Sequence, residues 1–266
     1  MKIIYHANCV DGFTAAWCAR QKYGDAPEYI AAQYGDDPPN VTGHDVLIVD
    51  FSYPRETLLR MREQATYLRV LDHHKTAQTD LEGLDFCLFD MNRSGAGLAW
   101  DELFGGGRPK LVDYVEDRDL WRWRLSASKE ISAWLSSWPR EFGLWTTLSA
   151  QLSEDFVGCA NQGLAILRAL DGYVEFNARN FRIGPIGGHE VPVINTTHAI
   201  SELIGKLAEL PDVPFAAGWF QKQDGKFVYS LRSRGDFDVS AVAKLYGGGG
   251  HKNAAGFTVD RMVHGG

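Results

Sequence analysis

The seven residues Asp45–Phe51, DVLIVDF, constrain the fold more than any other stretch of this chain. A strand with one wet face alternates apolar and polar side chains. Here Val46, Leu47, Ile48 and Val49 follow one another without a polar break, so both faces of the strand need cover. Such a run belongs to a parallel sheet with helices packed on both sides. The flanking sequence repeats the rhythm. Lys2–Tyr5, Glu28–Gln33, Tyr67–Leu71 and Asp85–Phe89 read as further strands. Phe13–Tyr23 sets Phe13, Ala16, Trp17 and Arg20 at helical spacing. Ser52 reads as an N-cap, with Pro54 in the first turn of a helix that reaches Gln64. The expected class is α/β: a larger N-terminal domain with a mostly parallel sheet flanked by helices, plus a smaller C-terminal α/β domain.

From Ser94 to Glu175 the pattern turns helical, and the tryptophans concentrated there read mostly as core and interface packing. Ser153–Phe181 is amphipathic and lacks proline, which predicts a long linking helix. Beyond Gly184, VPVIN, FAAGWF, KFVYSLRS and AAGFTV read as strands, and Ile200–Leu210 and Val239–Tyr246 as helices. The expected division is 1–150 for the first domain, 151–183 for the link and 184–266 for the second domain.

Composition narrows the function classes. With 45% hydrophobic residues in 266, the chain can bury a full core and is not a disordered or fibrous protein. Lys and Arg total 27 against 34 Asp and Glu, a formal charge of −7. That balance excludes a broad basic surface for long duplex nucleic acid and leaves room only for a local basic patch. Cys9, Cys18, Cys87 and Cys159 are scattered, with no CxxC pair, which argues against a disulfide framework or structural zinc and for a reducing cytoplasm. Neither a signal-peptide pattern nor an apolar stretch of about 20 residues is visible, so no membrane partner is expected.

In open α/β sheets, ligands bind beyond the carboxyl ends of the strands. The first strand runs into HANCVDG, with His6, Asn8, Cys9 and Asp11; the DVLIVDF strand delivers Asp50; YLRVLDHHK delivers Asp72, His73 and His74. A later segment, VEDRDLW, adds Asp117 and Asp119. Each has an ordinary reading: Asp11-Gly12 as a turn, Asp50 as a cap, the histidines as one core and one surface residue, and Asp117 with Asp119 as a solvated charge run. Together, imidazoles and carboxylates at successive strand ends form a ligand set for Mn²⁺, Zn²⁺ or Fe²⁺. A carboxylate shared between two ions would suit phosphoryl chemistry.

These residues resemble a known family. LDHHK, Leu71–Lys75, is similar to the signature of the DHH phosphoesterases; HANCVDG resembles their first motif, Asp50 their second and VEDRD their fourth. GGGGHKNAAGF, Gly247–Phe257, resembles the glycine motif of the DHH-associated domain, about 175 residues beyond the DHH triplet. Within the family the pattern is most similar to nanoRNases and cyclic-dinucleotide phosphodiesterases, and more distantly to RecJ-type exonucleases.

The resemblance implies two ions, usually Mn²⁺. Asp11, Asp50, His73 and Asp119 match one site and His6 with Asp50 the other, so Asp50 bridges. Asp119 is preferred to Asp117 because VEDRD aligns best with its last residue on the family's ligand. His74 matches the histidine beside the scissile phosphate, and Asp72 is expected to orient the histidines. Cys9 departs from the pattern, standing where the family has an aspartate ligand. It binds the ion directly, or that site is weak, or another group replaces it. For substrate binding the expected residues are Arg232, Gly248, Gly249 and His251, with Arg234 a weaker candidate; glycines let backbone N–H groups approach an anion. Gly105–Gly107 reads as a helix C-cap and turn. The implied activity is hydrolysis of short oligonucleotides or cyclic dinucleotides to 5′-nucleotides, by a possible homodimer. Two alternatives stay open: a RecJ-like single-strand exonuclease, and a nucleotide-binding protein with a degenerate site.

Overall fold

The structure is a computed structural model and describes residues 1–265. Contacts divide the chain into two compact units, Met1–Leu167 and the remainder from Arg168. The first unit contains strands β1 (Lys2–His6), β2 (Glu28–Ala32), β3 (Asp45–Val49), β4 (Tyr67–Asp72) and β5 (Cys87–Phe89). Its helices are α1 (Val10–Tyr23), α2 (Arg55–Gln64), α3 (Lys75–Asp80), α4 (Gly95–Phe104), α5 (Lys110–Asp119), α6 (Ser128–Ser136) and α7 (Phe142–Glu154). Helix α8 (Phe156–Asn177) crosses the division between the units.

The five strands form one wholly parallel sheet in the order β2-β1-β3-β4-β5. Its middle strand β3 is the uninterrupted aliphatic run. Leu47 and Val49 join Ile3, Leu71 and the buried side of α1, α4 and α5 in one core cluster. Val46 and Ile48 join Ile4, Val70 and Leu58 and Met61 of α2 in the other. The strand order reverses direction between β1 and β3, so a crevice opens there at the carboxyl ends, where His6 and Asp50 stand.

The second unit holds β6 (Arg182–Ile186), β7 (His189–Asn195), α9 (Ile200–Leu207), β8 (Phe215–Gln221), β9 (Phe227–Ser233), α10 (Val239–Lys244), β10 (Gly249–His251) and β11 (Ala254–Val259). Its six-stranded mixed sheet runs β10-β11-β9-β8-β7-β6, with only β7 and β8 parallel. Leu203, Ile204 and Leu207 of α9 pack in one core cluster and Val239, Val242 and Ala243 of α10 in another.

Several local expectations are corrected. Ser52 does not cap α2, which starts three residues later behind Pro54; its hydroxyl is turned to Asp72 instead. The helix expected over 153–181 is broken at Asp155, whose carboxylate accepts from Gly158 N at 2.9 Å and so restarts the chain as α8. A short 3₁₀ turn, Ala178–Asn180, follows α8. The glycine run is not simply a loop between helix and strand, because Gly249 and Gly250 pair with β11 as part of β10. Trp121, 55% exposed, is an exception to the packing role expected for most of the tryptophans. Gly105 does close α4, in the left-handed region at φ 76°. Among the described residues, no helix is long and apolar enough to cross a membrane.

Candidate metal centre

Four chain segments bring the centre together. His6 is the last residue of β1, Asp50 lies one residue past β3, His73 and His74 follow β4, and Asp119 ends α5. Asp11 sits in the first turn of α1 and is buried. Asp119 is thus delivered by a helix end, unlike the strand-end residues.

Three carboxylates converge on one imidazole nitrogen. His73 Nε2 lies 3.0 Å from Asp50 Oδ1, 3.6 Å from Asp11 Oδ2 and 3.5 Å from Asp119 Oδ2. On the other side of Asp50, His6 Nδ1 is 3.6 Å from Oδ2. Asp50 is buried, yet neither of its oxygens has a partner at hydrogen-bond geometry, and His6 Nδ1 has none either. Buried polar atoms are normally paired, and leaving a charge unpaired is costly. The donor set therefore fits a cation. Ligand atoms of His6, Cys9 and Asp50, of Asp50, His73 and His74, and of Asp11, His73 and Asp119 each gather within 4.8 Å of one another.

Titration behaviour follows from the same crowding. Burial, then the charges of Asp50 and Asp119, push the Asp11 carboxyl well up. Burial opposes ionisation of Asp50 too, but contacts with His6 and His73 outweigh it and hold the carboxyl low. Burial disfavours a charged His73, yet Asp50, Asp11 and Asp119 override it and push the imidazole up to about 10. A proton on His73 thus does locally what a divalent ion would do better. Burial raises the Cys9 thiol well above its ordinary range, and the nearby carboxylates add to the effect.

Backbone geometry builds the pocket. Asp50 adopts φ 55°, in the left-handed region that Asp tolerates better than most residues. At the N-terminus of α4, Gly95 N and Ala96 N donate to Asp11 at 2.6 and 3.0 Å, with the positive helix end facing the carboxylate. Ser94 caps that helix by accepting from Gly97 N, while its own N–H donates to Glu116 Oε2 at 3.1 Å.

Asp72 organises the histidine pair. Its Oδ1 accepts from His73 N at 2.7 Å and lies 2.6 Å from His74 Nδ1; Oδ2 accepts from Ser52 Oγ at 2.5 Å. An ionised Asp72 places the His74 proton on Nδ1 and leaves Nε2 as the other functional nitrogen. Asp117 points elsewhere, accepting from Arg124 N, Leu125 N and Ser128 Oγ and so pinning the loop after α5.

In the second unit, Arg232 is half-buried near the C-terminal end of β9, in register with Ala216 and Ala254. Its guanidinium donates to Ser201 Oγ and to Leu231 O, both at 2.8 Å. Arg234 pairs with Glu209. His251 is exposed at the end of β10. Gly248 N donates to Ala243 O at 2.9 Å, and a Cβ there would lie 2.1 Å from Gly256 O, whereas Gly249 faces open space.

Residues 189–262 match the DHHA1 domain. The chain thus carries a DHHA1 domain at its C-terminal side. A relative from Acanthamoeba polyphaga mimivirus, described as uncharacterized protein R106, is 28% identical over 96% of this chain. The chain spans 66% of that relative's length. Solved structures share the fold of this chain at low identity. The pGpG-specific phosphodiesterase PggH of Vibrio cholerae is 12% identical, with a TM-score of 0.52 over 97% of this chain and 92% of its own. An exopolyphosphatase-related protein of Bacteroides fragilis is 11% identical, with a TM-score of 0.55 over 98% and 87%. RecJ of Thermus thermophilus, solved with Mn²⁺, is 16% identical, with a TM-score of 0.50 over 97% of this chain and 49% of RecJ.

The sequence reading missed three contributors. Gly12 and Gly95 leave room around Asp50, and Ser52 holds Asp72. A signal for Gly95 was present in Ser94-Gly-Ala-Gly, a cap followed by unusually small residues at a helix start.

Proposed function

We propose that this chain is a Mn²⁺-dependent phosphodiesterase that hydrolyses short oligonucleotides or cyclic dinucleotides to 5′-nucleotides. The observation that carries the reading is Asp50: a buried carboxylate whose two oxygens face His73 and His6 without a hydrogen bond of normal geometry. In this reading Asp50 is shared by two ions; Asp11, His73 and Asp119 complete one site, and His6 serves the other. Cys9 is assigned to the His6 side because its sulfur gathers with His6 and Asp50. Bound divalent ions supply Lewis acidity toward the phosphate and lower the pKa of water.

The remaining work falls to protein groups. The α4 N-terminus holds the Asp11 carboxyl group in place through two backbone donors. Against the effect of burial, Asp72 holds one proton of His74 on Nδ1 and, with Asp50, favours the doubly protonated ring, so Nε2–H is the donor that would meet the phosphate oxygens and pass its proton to the leaving group. In the DHHA1 unit, Arg232 is the phosphate contact, a charge-assisted donor already oriented by Ser201. Gly248, Gly249 and His251 lie near it in sheet order, and of the two glycines Gly249 has open space around it.

The formal charge of −7 favours a short substrate over a long strand. The deciding experiment measures kcat/KM against oligonucleotide length at two salt concentrations with Mn²⁺. Efficiency is expected to peak at two to four nucleotides or on a cyclic dinucleotide, with a shallow salt slope near −2 for two or three phosphate contacts, at about −0.7 per phosphate. Efficiency that climbs steadily beyond about ten nucleotides would make the chain a RecJ-like exonuclease. Absence of turnover on every phosphodiester would leave a nucleotide-binding protein.

A further inference from the structure

The turn after β2 presents an exposed aromatic ring at the centre. Gln33 and Asp36 close this turn twice: Asp36 N donates to Gln33 O at 3.1 Å, and Gln33 N donates to Asp36 Oδ2 at 2.8 Å. Gly35 takes φ 96° inside it. The residue held out by this closed turn is Tyr34, 57% exposed. Its ring centroid stands 5.5 Å from that of His6 and 6.2 Å from that of His74, both edge-on at 69° and 82°. Behind it lies Phe51, buried, at 5.0 Å.

Packing does not account for this placement. Phe51 and Tyr53 already seal the core beneath, at 1% and 4% exposure, so the core gains little from a further large ring that remains mostly in water. Tyr34 instead touches both imidazoles that flank Asp50. The ring stands at the rim of the centre, one aromatic width from His6 and His74. It is well placed for the planar group one sugar away. Stacking on an aromatic side chain is the common way to hold a base without reading its identity.

We propose that Tyr34 is the base-stacking, specificity-determining residue of this centre, and that the substrate is a nucleoside phosphodiester rather than inorganic polyphosphate. The inference rests on the phosphodiesterase reading above and adds the residue that holds the base.

The test compares wild type, Tyr34→Ala and Tyr34→Phe with Mn²⁺ on a dinucleotide and on the matching abasic dimer, which has the same sugar–phosphate backbone without bases. Tyr34→Ala should lower kcat/KM for the dinucleotide roughly five- to a hundredfold, mostly through KM, and change the abasic dimer less than about twofold. Tyr34→Phe should retain wild-type behaviour. If Tyr34 merely props His6 and His74, Tyr34→Ala will lower kcat equally on both substrates, and that overturns the proposal. A selective loss in Trp121→Ala with none in Tyr34→Ala overturns it as well. Should wild type hydrolyse neither dimer, the phosphodiesterase reading fails by itself. Calorimetric binding of the dinucleotide then decides: weaker binding by Tyr34→Ala sustains the stacking role, and equal binding, or none by wild type, removes it.

Discussion

Gly95 and Asp50 share a space that admits no methyl group: a Cβ on Gly95 would stand 2.3 Å from Asp50 Cβ and 2.6 Å from its Oδ1. Gly12 closes in from the other side, where a Cβ would meet His6 O at 2.4 Å and Asp50 Oδ2 at 3.0 Å. The placement of the Asp50 carboxylate therefore depends on two residues defined by what they lack.

Gly95→Ala must displace Asp50 or the start of α4, whose amides hold Asp11. Overpacking of this kind costs about 1–3 kcal/mol. We expect Mn²⁺ affinity measured by calorimetry to fall at least about tenfold while the far-ultraviolet circular dichroism is retained. Wild-type affinity and wild-type Tm together would mean that the two residues are not in contact.

The Ser52–Asp72 pair tests orientation apart from metal binding. Ser52→Ala removes the donor to a fully buried carboxylate oxygen, at about 1–3 kcal/mol. Asp72→Asn also weakens the acceptor that fixes His74 Nδ1. Both variants should lower kcat more than KM and keep full metal content by elemental analysis. Metal loss in Ser52→Ala would place Asp72 among the ligands.

On the proposed metal reading, Cys9 would set which ion the His6 side prefers. Thiolate favours softer ions than Mn²⁺, and carboxylate favours harder ones. Cys9→Asp should reach half-maximal activity at lower Mn²⁺ than wild type, and Cys9→Ala at higher Mn²⁺, with unchanged Tm. Identical Mn²⁺ titrations for all three proteins would make Cys9 a packing residue.

Asp117 is expected to stabilise without taking part in chemistry. Burial works against its charge, but Ser128 and the Arg124 and Leu125 amides outweigh it and hold the carboxyl below its ordinary value. A lowered folded value means that the stabilisation is complete above about pH 4 and is lost as pH falls through that lower value. Asp117→Asn should cost about 1.5–3 kcal/mol at neutral pH. The Tm gap to wild type should close on acidification, and a gap independent of pH between 2 and 7 would rule the carboxylate charge out as its source.

The sequence was most readable where one strand sets many contacts. Val46 to Val49 fixed a doubly covered parallel strand, and with it the crevice that gathers His6, Asp50 and His73. Asp11 and Asp119 were legible through motif likeness rather than periodicity, since each sits on a helix and not at a strand end. Ser52 misled because a serine two residues before a proline-led helix looks like a local cap. Its actual partner, Asp72, is 20 residues away on the next strand, and only the sheet register brings them together. Gly12 and Gly95 carry no side chain whose chemistry could announce a role. The pairing of Gly249 and Gly250 into β10 was hidden for a similar reason, because runs of glycine have little intrinsic preference for strands.

The hydrogen bond from Gly95 to Asp11 spans 84 residues, and the last carboxylate of the cluster waits for Asp119. During synthesis at about 5–20 residues per second, the interval between the appearance of His6 and that of Asp119 is on the order of ten seconds. No earlier fragment holds the complete set of side chains. The group of Asp11, His73 and Asp119 can therefore assemble only once α5 has been made, whereas His6, Cys9, Asp50, His73 and His74 are all present by residue 74. On the proposed metal reading, the complete pocket would select its ion only after the sheet and α5 are in place.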